Sequence, residues 1–161
     1  MFQREVPGEI YNLPLYYEWR TMSVSMAEFQ PSEKGIKFSV LVVEDDPFLG
    51  DLIVRKLVKN GFETPRAGDG EEAIEYLKHN TPHLVLLDIR LPKKDGFEVL
   101  EWMQSDPMKA KIPVIILSNI NQSEDTERAM KLGAKDYLVK VNYTPDDVVE
   151  RILRVLHGTY F

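Results

Sequence analysis

From Phe38 onward, short continuous apolar runs alternate with stretches of helical period, five times over. The runs fall at 40–43, more weakly around 62–67, then at 84–87, 114–117 and 137–139. Between them, apolar residues recur at three- and four-residue spacing, the signature of an amphipathic helix. Pro47 opens a stretch with Leu49, Leu52, Ile53 and Leu57 on one face, and Asn60-Gly61 stops it. Asp69-Gly70 makes a turn into a second helix marked by Ala73, Ile74 and Leu77. Gly96 precedes a third with Phe97, Leu100 and Trp102-Met103, and a fourth runs through Ala129 and Leu132 to Gly133. The fifth starts with Thr144 as N-cap, Pro145 at its first position and Asp146 and Asp147 in its first turn. Its apolar face carries Val148, Val149, Ile152, Leu153 and Leu156.

Five strand-then-helix units with continuous apolar strands predict an α/β fold, a parallel sheet covered by helices on both faces. Right-handed crossovers reduce this to a doubly wound five-stranded sheet. Pro65 would remove a ladder hydrogen bond, which sends the second strand to an edge. The flavodoxin-like order 2-1-3-4-5 places it there. Residues 1–37 read differently. They hold six of the sixteen aromatics, lack sustained periodicity and are interrupted by Pro7, Pro14 and Pro31. They are expected to be an N-terminal extension, flexible or partly docked, ahead of a domain at 38–158 and a tail at 159–161.

Composition narrows the function classes. In 161 residues there is no cysteine, which excludes disulfides, thiolate metal sites and thiol nucleophiles. No apolar run approaches the roughly 18 residues of a membrane span, and no secretory signal is visible, so the expected location is cytoplasmic. A net charge of −6 argues against binding a nucleic-acid backbone.

Ligands in such folds bind beyond the C-terminal ends of the strands, at the switch in strand order. Glu44-Asp45-Asp46 follows the first run, Asp88 the third, Ser118 the fourth and Lys140 the fifth. Acids from neighbouring strands would converge there and repel unless a cation compensates. Hard oxygen donors with room for water suit Mg²⁺. A cation beside a carboxylate, flanked by a lysine and a hydroxyl, suits phosphoryl transfer. Asp88 would be the nucleophile, Lys140 its charge partner and Ser118 a donor to a phosphoryl oxygen. His79, His83 and His157 are scattered without ligand spacing and read as structural or surface residues.

The stretches Val40-Leu-Val-Val-Glu-Asp-Asp-Pro47, Leu84-Val-Leu-Leu-Asp-Ile-Arg-Leu-Pro92, Asp95-Gly96 and Gly133-Ala-Lys-Asp-Tyr-Leu-Val-Lys140 resemble the receiver domain of two-component response regulators. The resemblance covers residues 38–158. It implies Asp88 as phosphoacceptor, and Mg²⁺ held by Asp45, by Glu44 through water, by Asp88 and by the main-chain carbonyl of Arg90. It assigns Asp46 to a variable third acid that is not a ligand, and Tyr137 to an aromatic switch position working with Ser118. Two residues depart from the pattern. Val141 stands where the family has proline after the lysine, and Asn119 stands where the residue after the hydroxyl is small.

The implied function is a phosphorylation switch in a phosphorelay, loaded by a histidine kinase or phosphotransfer protein. It is not an enzyme beyond catalysing its own phosphorylation and dephosphorylation. With three residues after Gly158, the expectation is a stand-alone receiver without an output domain. It would signal through an unknown protein target, or a second copy, at the face of helix four, strand five and helix five, without nucleic acid or membrane. The alternative is a degenerate receiver that binds proteins independently of phosphorylation. A haloacid-dehalogenase-like phosphatase would need a second acid two residues after its nucleophile, where Arg90 stands. A flavodoxin-like carrier would need a phosphate loop where the acids of the first strand lie.

Overall fold

The computed structural model describes residues 37–160. The expected N-terminal extension therefore lies outside the described residues, Lys37 apart. Five strands, β1 (Val40–Val43), β2 (Arg66–Ala67), β3 (Leu84–Leu87), β4 (Val114–Ser118) and β5 (Asp136–Val139), form one parallel sheet in the order β2-β1-β3-β4-β5. The helices are α1 (Pro47–Lys59), α2 (Gly70–His79), α3 (Gly96–Ser105), α4 (Ser123–Lys131) and α5 (Pro145–Tyr160). The expected fold class and strand order are both found.

Alternation within the strands builds two cores. Leu41, Val43, Val85, Leu87 and Ile116 point to one face, where they meet Ala73 and Leu77 of α2, Leu100 and Met103 of α3, and Ala129 of α4. Val40, Val42, Leu84, Leu86 and Ile115 point to the other, against Ile53 and Leu57 of α1 and Val149, Ile152 and Leu156 of α5. Successive strand side chains alternate between faces, so an all-apolar strand needs a helix layer on each side.

Three boundaries differ from expectation. β2 is only two residues long, with an isolated bridge between Ser39 and Glu63 before it. Pro65 ends the ladder's donors on its side, although its carbonyl still accepts from the Val42 N–H at 3.0 Å. β4 reaches Ser118, so the hydroxyl is part of the strand. α5 continues two residues past Gly158, and Tyr160 is held in place rather than lying in a tail. Its ring stands 5.8 Å from Phe38 and 5.5 Å from His83, and its hydroxyl donates to the His83 carbonyl at 3.0 Å. The expected cap of α5 is present: Thr144 Oγ1 accepts from the Asp147 N–H, and the Asp147 carboxylate accepts from the Thr144 N–H.

His83 has a structural role, as expected. The Ser39 N–H donates to its Nδ1 at 3.0 Å, so that nitrogen carries no proton, and the Phe38 ring lies 4.7 Å away. Burial holds the imidazole below its ordinary value of 6.5. A depressed histidine contributes stability that is present above 6.5 and lost as pH falls through its folded value. Thermal melts of the wild type should therefore weaken between neutral and mildly acid pH. His83→Gln, whose side-chain oxygen can still accept, should flatten that slope. An unchanged slope would assign the acid sensitivity elsewhere.

Candidate functional site

Parallel register brings the predicted site together. Val43 pairs with Leu87, so Glu44 and Asp88, one residue on, leave neighbouring strands side by side. The Asp88 N–H donates to the Val43 carbonyl at 3.0 Å, extending the ladder to the site itself. Ser118 pairs with Val139, which puts Lys140 just beyond the end of β4.

Lys140 is the centre of the arrangement. Its Nζ lies 2.5 Å from Asp88 Oδ2 and 2.7 Å from Glu44 Oε2. The three side chains are 11%, 5% and 3% exposed, so this is a buried ion triad. Burial pushes the Glu44 carboxyl above its usual range, against the pull of Lys140. Burial also works against the charge on Lys140, but its bonds to Asp88 and Glu44 outweigh that and hold the ammonium above its ordinary value. Asp88 Oδ1 accepts from the Arg90 N–H at 3.1 Å, and Glu44 Oε1 from the Asp46 N–H at 3.1 Å.

Glu44, Asp45 and Asp88 each offer a carboxylate oxygen, and these atoms lie within 4.8 Å of one another. Three hard, anionic donors at one rim, two buried and one exposed, fit an oxygen-preferring divalent cation that keeps part of its water. They open on a cavity of about 490 Å³ that is also lined by Asp46, Leu49, Arg90, Asn119, Lys140 and Val141. Both departures from the family pattern thus border the cavity. No cis peptide occurs among the described residues, and Lys140–Asn142 forms a short 3₁₀ turn that leaves Val141 83% exposed.

Ser118 and Tyr137 stand together behind the cavity instead of lining it. Ser118 is fully buried, and its Oγ accepts from the Ile120 N–H at 3.3 Å. The Tyr137 hydroxyl donates to the Ile120 carbonyl at 3.0 Å. Burial holds the Tyr137 phenol above its ordinary value. Both side chains grip the same residue of the β4–α4 loop, so a change at one is felt by the other.

Several residues that shape the site were missed in the sequence. Asp46 caps α1, accepting from the N–H groups of Phe48 and Leu49 at 2.8 and 3.2 Å. An aspartate directly before a proline at the helix start carried that signal. Gly96, which the sequence marks only as the residue before the third helix, also sits against the site. A Cβ there would fall 2.2 Å from the Asp88 carbonyl oxygen, so the glycine lets α3 close against the strand end that bears Asp88. Lys93 adopts φ 66°, a costly left-handed conformation for a lysine, and its Nζ lies 2.6 Å from Asp69 Oδ2. Lys93 holds the Asp69 carboxyl below its usual range and ties the β3–α3 loop to the start of α2.

A doubly wound sheet with an aspartate, an acidic pair, a hydroxyl and a lysine at its strand ends defines a class of phosphoryl-accepting α/β domain. The family model for the response regulator receiver domain matches residues 40–153, and the chain belongs to that family. It is 36% identical over 116 residues to the DNA-binding dual master transcriptional regulator RpaA of Synechocystis, covering 72% of this chain and 46% of that protein. It is 41% identical over 111 residues to a gliding motility regulatory protein of Myxococcus xanthus, covering 68% of this chain and 14% of that one. Among solved structures, the receiver domain of Francisella response regulator 1452 superposes with a TM-score of 0.71 at 30% identity, covering 76% of this chain and 99% of that one. The chain spans less than half the length of these two curated relatives.

Proposed function

We propose that this chain is a phosphorylation switch of two-component signalling in which Asp88 accepts the phosphoryl group. One observation carries the reading: the Lys140 ammonium bridges Asp88 and Glu44 at the point where three strand ends meet. One carboxylate oxygen is thereby oriented by a cation and the other by the Arg90 N–H. The upstream donor is a phosphohistidine on a histidine kinase or phosphotransfer protein. The nitrogen–phosphorus bond breaks as an Asp88 oxygen bonds to phosphorus, and the histidine leaves neutral or protonated. Glu44 and Asp45, with Asp88 and the Arg90 carbonyl, would hold Mg²⁺, which when bound offsets charge on the transferring group. Lys140 then follows the new negative charge from Asp88 onto the phosphoryl oxygens. Ser118 leaves Ile120 to donate to one of those oxygens, and Tyr137 changes place with it. The readout is the face of α4, β5 and α5, which meets a partner protein or a second copy.

The stand-alone arrangement and an output free of nucleic acid draw no support from the relatives, since RpaA is named as a DNA-binding regulator. The degenerate alternative has nothing in its favour here, because the acids, hydroxyl and lysine are all in place. Among the described residues no helix is long and apolar enough to cross a membrane, which fits action in the cytoplasm. The test is incubation of the purified chain with acetyl phosphate or phosphoramidate. Intact-mass spectra should show one added phosphoryl group with Mg²⁺ and none with a chelator. Incorporation indifferent to the chelator would contradict the cation assignment.

A further inference from the structure

Arg66 lies on β2, opposite Val42 in register, and was singled out by nothing in the sequence. Its side chain crosses to the β1–α1 loop. One terminal nitrogen donates to the main-chain carbonyls of Glu44 and Asp46, each at 3.2 Å. The other lies 2.8 Å from Asp51 Oδ1 on α1. The guanidinium rests against Gly50, where a Cβ would come within 2.6 Å of its Cζ and Nε. Its Nε is buried and finds no acceptor among the described residues, so the group is held there at a cost. The guanidinium thus holds the main-chain carbonyls of the residues on either side of Asp45, an exposed member of the acid cluster.

We propose that Arg66, seated on Gly50, is a positioning residue that fixes Asp45 for the divalent cation and so sets the site's affinity for it. The inference rests on the reading that Glu44, Asp45 and Asp88 hold that cation. Two fixed carbonyls leave the Asp45 backbone little freedom, so its carboxylate is aimed before the ion arrives. A free loop would have to be ordered at the moment of binding. The positive charge alone would act in the opposite direction, repelling the cation, but Asp51 balances it at 2.8 Å. Positioning and charge therefore predict opposite signs. Second-layer partners of metal ligands commonly control affinity by about 10- to 100-fold, and the lower end applies to a main-chain clasp.

The experiment is calorimetric titration of Mg²⁺ into the full chain, with melting temperature recorded for every variant. Arg66→Met should weaken Mg²⁺ binding about 10-fold. Arg66→Lys, which keeps the charge but cannot fork, should weaken it nearly as much. Gly50→Ala improves helix propensity yet displaces the guanidinium, so it should weaken binding with Arg66 intact and add nothing to Arg66→Met. Tighter binding in Arg66→Met with unchanged binding in Arg66→Lys would show a charge effect and overturn the proposal. Lower melting temperatures with wild-type affinity would reduce Arg66 to a structural role and equally overturn it. Failure of the wild type to bind Mg²⁺ would instead remove the cation reading beneath it.

Discussion

Asp88→Asn is expected to reduce phosphoryl incorporation from a small phosphodonor by at least about 10³-fold, the scale on which losing a covalent nucleophile acts. The amide oxygen can still accept from Lys140, while its NH2 takes the place of the oxygen that accepted from the Arg90 N–H, so the variant loses its nucleophile and one of the two bonds that orient it. Stability should not fall. Burial chiefly holds the Glu44 carboxyl above its usual range and the Asp88 charge adds to it, so neutralising Asp88 relieves that repulsion. A melting temperature at or above the wild type's, together with absent label, is the expected pair of results, read by calorimetry and intact-mass spectrometry. Persistent label on a folded Asp88→Asn protein would remove Asp88 from the mechanism.

Lys140→Met should have the second large effect, this time on stability. It leaves Glu44 and Asp88 facing each other, 3% and 5% exposed, without their shared cation. Breaking a buried ion pair from one side is strongly destabilising, and allowing for the open cavity the loss should be about 2–3 kcal/mol at neutral pH. The sign with pH follows from Glu44, whose folded value is already raised by burial. A raised carboxyl contributes stability that is present below its unfolded value of 4.5 and lost as pH rises through the folded one. The variant's deficit should therefore shrink in acid, where Glu44 takes up a proton. In the wild type, Lys140 is raised, so its contribution persists below its unfolded value and is lost only in alkali. Added Mg²⁺ should rescue the variant more than it stabilises the wild type, because a divalent cation replaces the missing ammonium. Urea titrations across pH, with and without Mg²⁺, check each of these signs. A deficit that is constant with pH would mean that the triad is not the source of the loss.

The sequence made the strands and the central acids readable for the same reason. Four consecutive apolar residues in β1 and β3 allow only a strand buried on both faces, and their ends then fix where Glu44 and Asp88 emerge. Lys140 and Ser118 followed from that logic on β5 and β4. What stayed hidden depends on side chains that cross between elements. Arg66 reaches 22 residues back to Glu44, and Lys93 reaches Asp69 across a loop. No local period records either contact. The left-handed turn at Lys93 was invisible because a lysine there carries no sign of positive φ. The expected tail at 159–161 overlooks Tyr160, because its packing on Phe38 and His83, which carries the helix past Gly158, leaves no local period.

The most direct test of the account is to locate the phosphoryl group itself. The wild-type chain, loaded by a small phosphodonor with Mg²⁺, can be reduced with borohydride to convert an acyl phosphate into a stable alcohol and then read peptide by peptide. The expected result is conversion at Asp88 alone. Conversion at Glu44, Asp45 or any other residue, with Asp88 unchanged, would contradict it.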